Sequence, residues 1–342
     1  MIPRPLETHI SWTSGDVADS KIWTVELTRS DQRELDAALT HAKSVSDNLL
    51  DIGREDFPLD GLALKLESVE RELIEGRGFT RISALDTSRY GDDDLTMLYW
   101  GIGLHLGDPW PQNAKGHVMG DVTDQGKRLD DPTFRGNELG QVALDYHTDG
   151  ADVIGLMCLR KAKRGGLSCV ANAVAIYNEL VRTRPDLAAA LFEPQPYDFR
   201  GEQAPGGQPY YLFPVFTEHN DRFFIRFIPA YIRASQRHVD APRLSPLVLE
   251  ALDTVSAMAR DPRYNVFMDL EPGQMQFINN YHVLHGRTSY EDDAAAGMKR
   301  HFKRLWLATD YLKDRPAHFR RNVDSHWMKN RSVSRIPAAA RA

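Results

Sequence analysis

Apolar residues recur at helical spacing through the first third of the chain and at strand spacing after it. Ser30 is placed to cap a helix with Asp31 and Glu34 in its first turn and Leu35, Leu39 and Ala42 along one face. Leu62, Leu66, Val69 and Leu73 step by four, three and four, and Gly76 closes this second helix. Residues 78–82 read as the first core strand, with an earlier strand expected around 22–27. Asp92, Asp93 and Asp94 complement a helix N-terminus, which predicts a helix over 95–106.

From about Gln112 the texture changes to short β-rich runs separated by Gly, Asp and Asn, as in Gly116 to Gly120 and Phe134 to Asn137. The run Gln141 to Tyr146 reads as a strand delivering His147. Strands follow over 153–159 and 167–170, with Arg164-Gly165-Gly166 as the turn between them. Residues 173–192 read as helical, with Pro185 opening a second segment. The runs 210–217 and 223–228 form a predicted hairpin through Glu218-His219-Asn220-Asp221. Ser245-Pro246 starts a helix to about Ala259, and strands are expected over 274–279 and 304–309. Helices gather before the strands, with a few inserted between them. That order favours a mainly β fold with surrounding helices (α+β), a sandwich or jelly roll, over an alternating α/β sheet.

The division expected is an N-terminal arm and helix packed on the core over 1–60, one catalytic domain over 61–315, and a basic C-terminal tail over 316–342. The tail carries Arg320, Arg321, Lys329, Arg331 and Arg335 with little apolar content after Trp327, so it reads as solvated or as an arm packing on a partner. Composition narrows the class without choosing a function. A net charge of −6 in 342 residues gives no general attraction to nucleic acid or an anionic membrane. No apolar run has transmembrane length, and the first residues lack a signal-peptide core. Cys158 and Cys169 lack metal-site spacing and form no disulfide framework, so they are expected as buried thiols in a cytoplasmic protein.

The candidate chemistry begins at Tyr146-His147-Thr148-Asp149-Gly150. Side chains two apart on a strand share a face, so His147 and Asp149 lie side by side with Thr148 turned away. They make up two-thirds of the two-histidine, one-carboxylate set that holds Fe(II) on one face. The third ligand must come from a distant strand, and the segment from Gln274 to Thr288 offers His282 and His285, which cannot share a face if the segment stays extended. Arg300 and Arg304 follow, and a guanidinium there can take a carboxylate through two parallel hydrogen bonds.

Together His147-x-Asp149, Gly165-Gly166-Leu167-Ser168, Asn280 with His285 five later, and Arg300 with Arg304 resemble the taurine dioxygenase family. This is the clavaminate-synthase-like branch of the Fe(II)/2-oxoglutarate-dependent oxygenases. Gly76-Arg77-Gly78-Phe79 and Gln112 extend the resemblance over residues 60 to 315 or so. It implies a double-stranded β-helix (a cupin-like jelly roll), with His147, Asp149 and His285 as iron ligands. Arg300 then matches the arginine that takes the distal carboxylate of 2-oxoglutarate, with Ser168 beside it in place of a common threonine. Arg304 matches an arginine that supports the cosubstrate in some members and meets an anionic substrate in others. Tyr146 stands where tryptophan is common and Tyr281 where arginine is frequent, so with Asn137 they are expected at the substrate pocket.

The implied activity is oxidative decarboxylation of 2-oxoglutarate to succinate and CO2 with O2, coupled to C–H oxidation of a second molecule. Halogenating relatives lack the carboxylate ligand; Asp149 keeps it, which favours hydroxylation, while desaturation, ring closure and fragmentation stay open. Arg304 and the tyrosines 146, 210, 211 and 281 suit a small organic acid or amino-acid-like substrate. No nucleic-acid or membrane partner is expected, and a homo-oligomer is permitted. Two rival readings are a non-catalytic cupin-like binding protein and a metal-dependent enzyme of this fold that does not use 2-oxoglutarate.

Overall fold

The computed structural model describes residues 2–127, 136–138, 140–322 and 326–334. Two sheets face each other. The larger runs, in spatial order, Thr24–Glu26, Phe79–Ser83, Met275–Asn279, Val153–Arg160, His301–Ala308, His117–Val122 and Ser332–Val333. The smaller runs Asn265–Met268, Ser168–Asn172, Val283–Arg287 and Leu144–His147, paired antiparallel throughout. This is the jelly roll, closed by strands that alternate between the two sheets along the chain.

Strand alternation sorts the core. In His301–Ala308, Phe302 and Trp306 join Ile154, Cys158, Ile278, Val170 and Val283 in the core between the sheets. Leu305 and Leu307 point the other way and pack with Met157, Phe277 and helix residues Leu98, Tyr99 and Ile102. The period of two thus supplies both an inner face that can carry polar groups and an outer apolar face that fixes the strand on its helices. Each fully buried Leu or Phe on that outer face contributes roughly 1.5–3 kcal/mol.

Helix Gly61–Glu75 buries Leu62, Leu66, Val69 and Leu73, the expected face, and ends at Gly76. Helix Asp92–Leu104 begins on its three aspartates and buries Leu95 to Gly103. Helices Ala173–Thr183 and Pro185–Phe192 divide at Pro185, and Pro246–Arg260 takes its N-cap from Ser245. Among the described residues no helix is long and apolar enough to cross a membrane. Cys158 and Cys169 are both buried free thiols.

Several expectations need correction. The first helix, Arg29–Val45, is capped by Thr28 and not Ser30, because Thr28 and Asp31 form a reciprocal capping box that Ser30 is one turn position too late to make. The predicted hairpin divides: Phe216–His219 pairs with Arg222–Ile225, but Tyr210–Pro214 pairs with Pro194–Asp198. Pro214 interrupts the run between these two partners. The last core strand starts at His301, three residues before the expected start, so the Arg304 side chain sits mid-strand. Phe134 and Arg135 lie outside the described residues.

Of the segment beyond Arg315, the described residues Ser332–Val333 pair with the edge of the large sheet. Arg315 forms a buried ion pair with Asp152, with its Nε 2.8 Å from Oδ1. Tyr281 donates to the same Oδ1 at 2.7 Å, and the Thr309 backbone N–H donates to Oδ2 at 2.9 Å. Removing one partner of such a pair leaves an uncompensated buried charge, so Arg315→Met should lower unfolding free energy by roughly 3–5 kcal/mol. A urea titration tests this; a loss under about 1 kcal/mol at unchanged m-value would show that the pair does not tie the chain's end to the core.

Candidate metal centre

His147 closes Leu144–His147 and pairs directly with His285 across the antiparallel ladder, so two imidazoles from distant sequence become neighbours. Their ring centroids are 4.4 Å apart. Asp149 follows two residues after His147, with its Oδ1 3.9 Å from His147 Nε2 and its Oδ2 3.8 Å from His285 Nε2. One donor atom from each of the three residues falls within 4.8 Å of the others. Between the two candidates in the distal segment, geometry selects His285. His282 points away, with Nε2 3.2 Å from the Phe223 carbonyl and Nδ1 3.1 Å from Asn279 Nδ2.

His147 and Asp149 are held from behind, whereas His285 Nδ1 has no hydrogen-bond partner among the described residues. His147 Nδ1 lies 2.8 Å from the Asp145 carbonyl, which fixes the proton on Nδ1 and leaves the Nε2 lone pair facing the site. Burial, and then the neighbouring His147, push His285 down to about 3, so it is neutral and able to donate a lone pair at physiological pH. Thr148 turns away as alternation requires: its hydroxyl accepts from Phe227 N at 3.0 Å and its N–H donates to Phe227 O at 2.8 Å.

The backbone at Asp149 is clamped by Asn280, whose Oδ1 accepts from Asp149 N and whose Nδ2 donates to Asp149 O, both at 2.7 Å. The carboxylate is also held. Arg304 Nη1 and Trp306 Nε1 both donate to Oδ2, at 3.1 and 3.0 Å. Gln112 accepts from Arg304 Nε at 2.8 Å and so fixes the guanidinium. Trp306 and Arg226, which donates to the Asp149 carbonyl, were missed by motif reading. The signal for Trp306 was its parity with Arg304 on one strand face; nothing in the sequence pointed to Arg226.

Next to the three donors is a small cavity of about 40 Å³, lined by His147, Ser168, His285, Arg300 and Arg304 among others. Arg300 is buried and lies over the Phe302 ring at 3.9 Å. Its Nη2 donates to Gly166 O at 3.4 Å, while Nη1 has no hydrogen-bond partner among the described residues. Burial, and then the nearby Arg287 charge, lower Arg300 to about 10. A buried guanidinium with a free edge is the complement of a carboxylate. Gly166 permits this placement: at its φ of +72° a Cβ would lie 2.8 Å from Arg300 Nε. Ser168 also lines this cavity, but its hydroxyl contacts Gln276 Oε1 across the two sheets.

A larger cavity of about 250 Å³ also reaches His147, Asp149 and Arg304, and adds Tyr146, Arg200 and Tyr211. Tyr281 is absent from its lining. It is buried and donates to Asp152, so its expected place in the substrate pocket is corrected: the Asp152 cluster draws the ring into the core. Tyr210 also faces elsewhere, donating to Asp240 O at 2.8 Å. Asn137 lies in the turn Gly136–Glu138, and its side chain falls outside the described residues. Asp145 pairs with Arg260, and Lys161, Lys163 and Arg164 form exposed ion pairs, so none of these adds a ligand.

The donor set fits a divalent iron. Two imidazoles and one carboxylate gathered on one side match the non-haem Fe(II) arrangement, and the carboxylate is oriented by bonds from Arg304 and Trp306. Because Trp306 holds Asp149, Trp306→Phe should weaken Fe(II) or Co(II) binding by ~10- to 100-fold without unfolding the protein. Metal titration followed by absorption or calorimetry reads this, and unchanged affinity would show that the indole N–H does not orient the carboxylate.

The profile of the Taurine catabolism dioxygenase TauD, TfdA family matches residues 39–306. FR-33289 synthase of Streptomyces rubellomurinus is 30% identical over 314 residues, which covers 90% of this chain and 91% of that protein. A taurine hydroxylase-like protein of Stachybotrys chartarum is 27% identical over 316 residues, covering 90% of this chain and 80% of that one. Among solved structures, asparagine oxygenase in complex with Fe(II), 2S,3S-3-hydroxyasparagine and succinate superposes with a TM-score of 0.63 at 16% identity. That match covers 86% of this chain and 97% of the other, and it carries the jelly-roll fold.

Proposed function

The chain belongs to the Taurine catabolism dioxygenase TauD, TfdA family, and we propose that His147, Asp149 and His285 hold its iron while Arg300 and Ser168 anchor 2-oxoglutarate. It is an Fe(II)/2-oxoglutarate-dependent dioxygenase. The overall reaction converts 2-oxoglutarate, O2 and a C–H bond to succinate, CO2 and a C–OH group. The observation carrying the assignment of residues is the pair of cavities that meet at His147 and Arg304, one floored by a buried guanidinium with an open edge.

When bound, the iron supplies O2 activation driven by decarboxylation of the cosubstrate. The chain's own residues do the rest. Arg300 Nη1 takes the distal carboxylate of 2-oxoglutarate in a site too dry to tolerate an unpaired anion. Ser168 can give its hydroxyl hydrogen to that carboxylate if Gln276 turns its amide and donates to Ser168 Oγ in place of accepting from it. Arg304 stays with Asp149 and Gln112 and forms the wall between the cosubstrate and the substrate cavity.

The larger cavity bounds the substrate. At about 250 Å³ it lies near the small end of ligand pockets, which run roughly 300–1,000 Å³. Its wall includes Arg200, whose guanidinium carbon lies 5.4 Å from the Tyr231 ring centroid, and the carboxylates Asp145 and Glu202. That mix suits an amino-acid-like molecule, with its carboxylate toward Arg200 and its hydrocarbon toward His147. Tyr146 is among the residues lining the cavity while its side chain packs into the core; Arg304 contributes an edge and not a free fork.

Anaerobically loaded protein given O2, 2-oxoglutarate and the common amino acids should form succinate, with one group of amino acids stimulating turnover. Arg300→Ala removes the charge-assisted bonds to the distal carboxylate and should raise KM for 2-oxoglutarate by ~100-fold. An unchanged KM in that variant would overturn the cosubstrate assignment. Stimulation confined to uncharged hydrocarbons would overturn the amino-acid-like reading.

A further inference from the structure

The C-terminal segment 326–334 returns to the body of the protein by main-chain pairing. Ser332–Val333 lies parallel to His117–Val122 at the outer edge of the large sheet. Ser332 N donates to Gly116 O at 2.9 Å, Ser332 Oγ to Lys115 O at 2.8 Å and Ser334 N to Met119 O at 3.1 Å. The fit at the start of this pairing is tight. Gly116 has a φ of +76°, and a Cβ there would fall 1.8 Å from the Asn330 carbonyl oxygen. Any larger residue at 116 is therefore strained and also displaces Asn330.

The strand pairing anchors Trp327, five residues earlier, which lines the 250 Å³ cavity. Its indole N–H donates to the Glu202 carbonyl at 3.4 Å. Glu202 belongs to a loop, 199–207, that supplies Phe199 and Arg200 to the same cavity. The loop's base is fixed: Asp198 has a fully buried side chain, pairs with Arg237 at 2.7 Å and accepts from Arg200 N at 2.6 Å. At its turn Arg200 and Gly201 both take positive φ, +57° and +80°. The loop is held at its base by Asp198 and meets the C-terminal segment at Glu202.

We propose that segment 326–334 is a substrate-selecting wall of the site, with Trp327 as the specificity-determining residue and the edge pairing at Gly116 as its fastening. This rests on the reading that the substrate occupies the larger cavity. Docked, the indole covers loop 199–207 and limits the length of molecule that can lie between Arg200 and His147. Released, the cavity loses a wall while the three metal donors and Arg300, carried by strands of both sheets, keep their places. The proposal separates two properties that a single buried site would couple: substrate choice follows the tail, and cosubstrate binding does not.

The test uses full-length protein with Trp327→Ala, Trp327→Phe and Gly116→Ala. Hydrogen exchange should show loop 199–207 exchanging at least ~10-fold faster in Trp327→Ala and Gly116→Ala, with Leu144–His147 and Val283–Arg287 unchanged. In turnover of the common amino acids, both variants should raise KM for the best wild-type substrate by ~10-fold or more and admit bulkier ones. KM for 2-oxoglutarate should stay within twofold, and Trp327→Phe should restore most of the wild-type order. Unchanged exchange in loop 199–207, or an unchanged order of substrates in Trp327→Ala, would overturn the proposal. Should no amino acid be turned over, the substrate reading fails on its own and the exchange measurement alone decides the wall.

Discussion

The site depends on how one carboxylate is held. Asp149 lies just past a strand end, where a side chain would ordinarily sample several rotamers. Here Asn280 takes both backbone polar groups of Asp149, and Arg304 and Trp306 both donate to Oδ2. With that oxygen engaged, Oδ1 keeps its lone pairs toward His147. The constraint spans the barrel, because Asp149 follows a strand of the small sheet while Asn280, Arg304 and Trp306 come from strands of the large one or the residue just after it. The geometry of the three candidate donors is consequently a property of sheet packing as much as of the donors themselves.

Strand His301–Ala308 shows how one short run meets two demands. Its inner residues Phe302, Arg304 and Trp306 alternate apolar and polar functions toward the site, while Leu305 and Leu307 bury the other face against helix Asp92–Leu104. A register slip of one residue would turn the guanidinium into the helix layer and a leucine into the site. The apolar outer face makes that slip costly, so hydrophobic packing on the far side of the sheet holds the polar side in register.

The parts legible from sequence are those where period or spacing leaves few alternatives. The four-three-four steps from Leu62 to Leu73 specify one buried helix face, and His147-x-Asp149 places two donors side by side wherever the strand lies. The His282 and His285 ambiguity was resolvable only by partner: alternation separates them, but which one faces His147 depends on register with a strand some 140 residues away. Tyr281 failed for the same reason, since its destination is set by Asp152 and Arg315, neither of which is near it in sequence. The hairpin over 210–228 failed because an apolar run gives no sign of changing partners midway. The edge pairing of Ser332–Val333 is not legible in the sequence, because it is made by the backbone, and a parallel contact beside Gly116 leaves no trace in the hydrophobicity of residues 326–334.

The electrostatics of the site suit an anion and not a neutral ligand. Arg300 is buried, and the nearby Arg287 charge adds to burial in lowering it; Arg287 is itself lowered by burial. A barrel selected only to bind an apolar molecule would gain stability by losing Arg300, since a buried cation with an unpaired N–H is costly. An arriving anion offsets that cost, and the cavity beside Arg300 is lined also by His147 and His285. The same logic explains the division at Arg304. Its fork is already committed to Asp149 and Gln112, so it separates the two cavities without competing for either ligand. The other cations lining the larger cavity are Arg226 and Arg200, the latter on a loop apart from the sheets. Such a loop can vary without disturbing the strands that hold the metal donors, which keeps substrate choice separable from the shared chemistry.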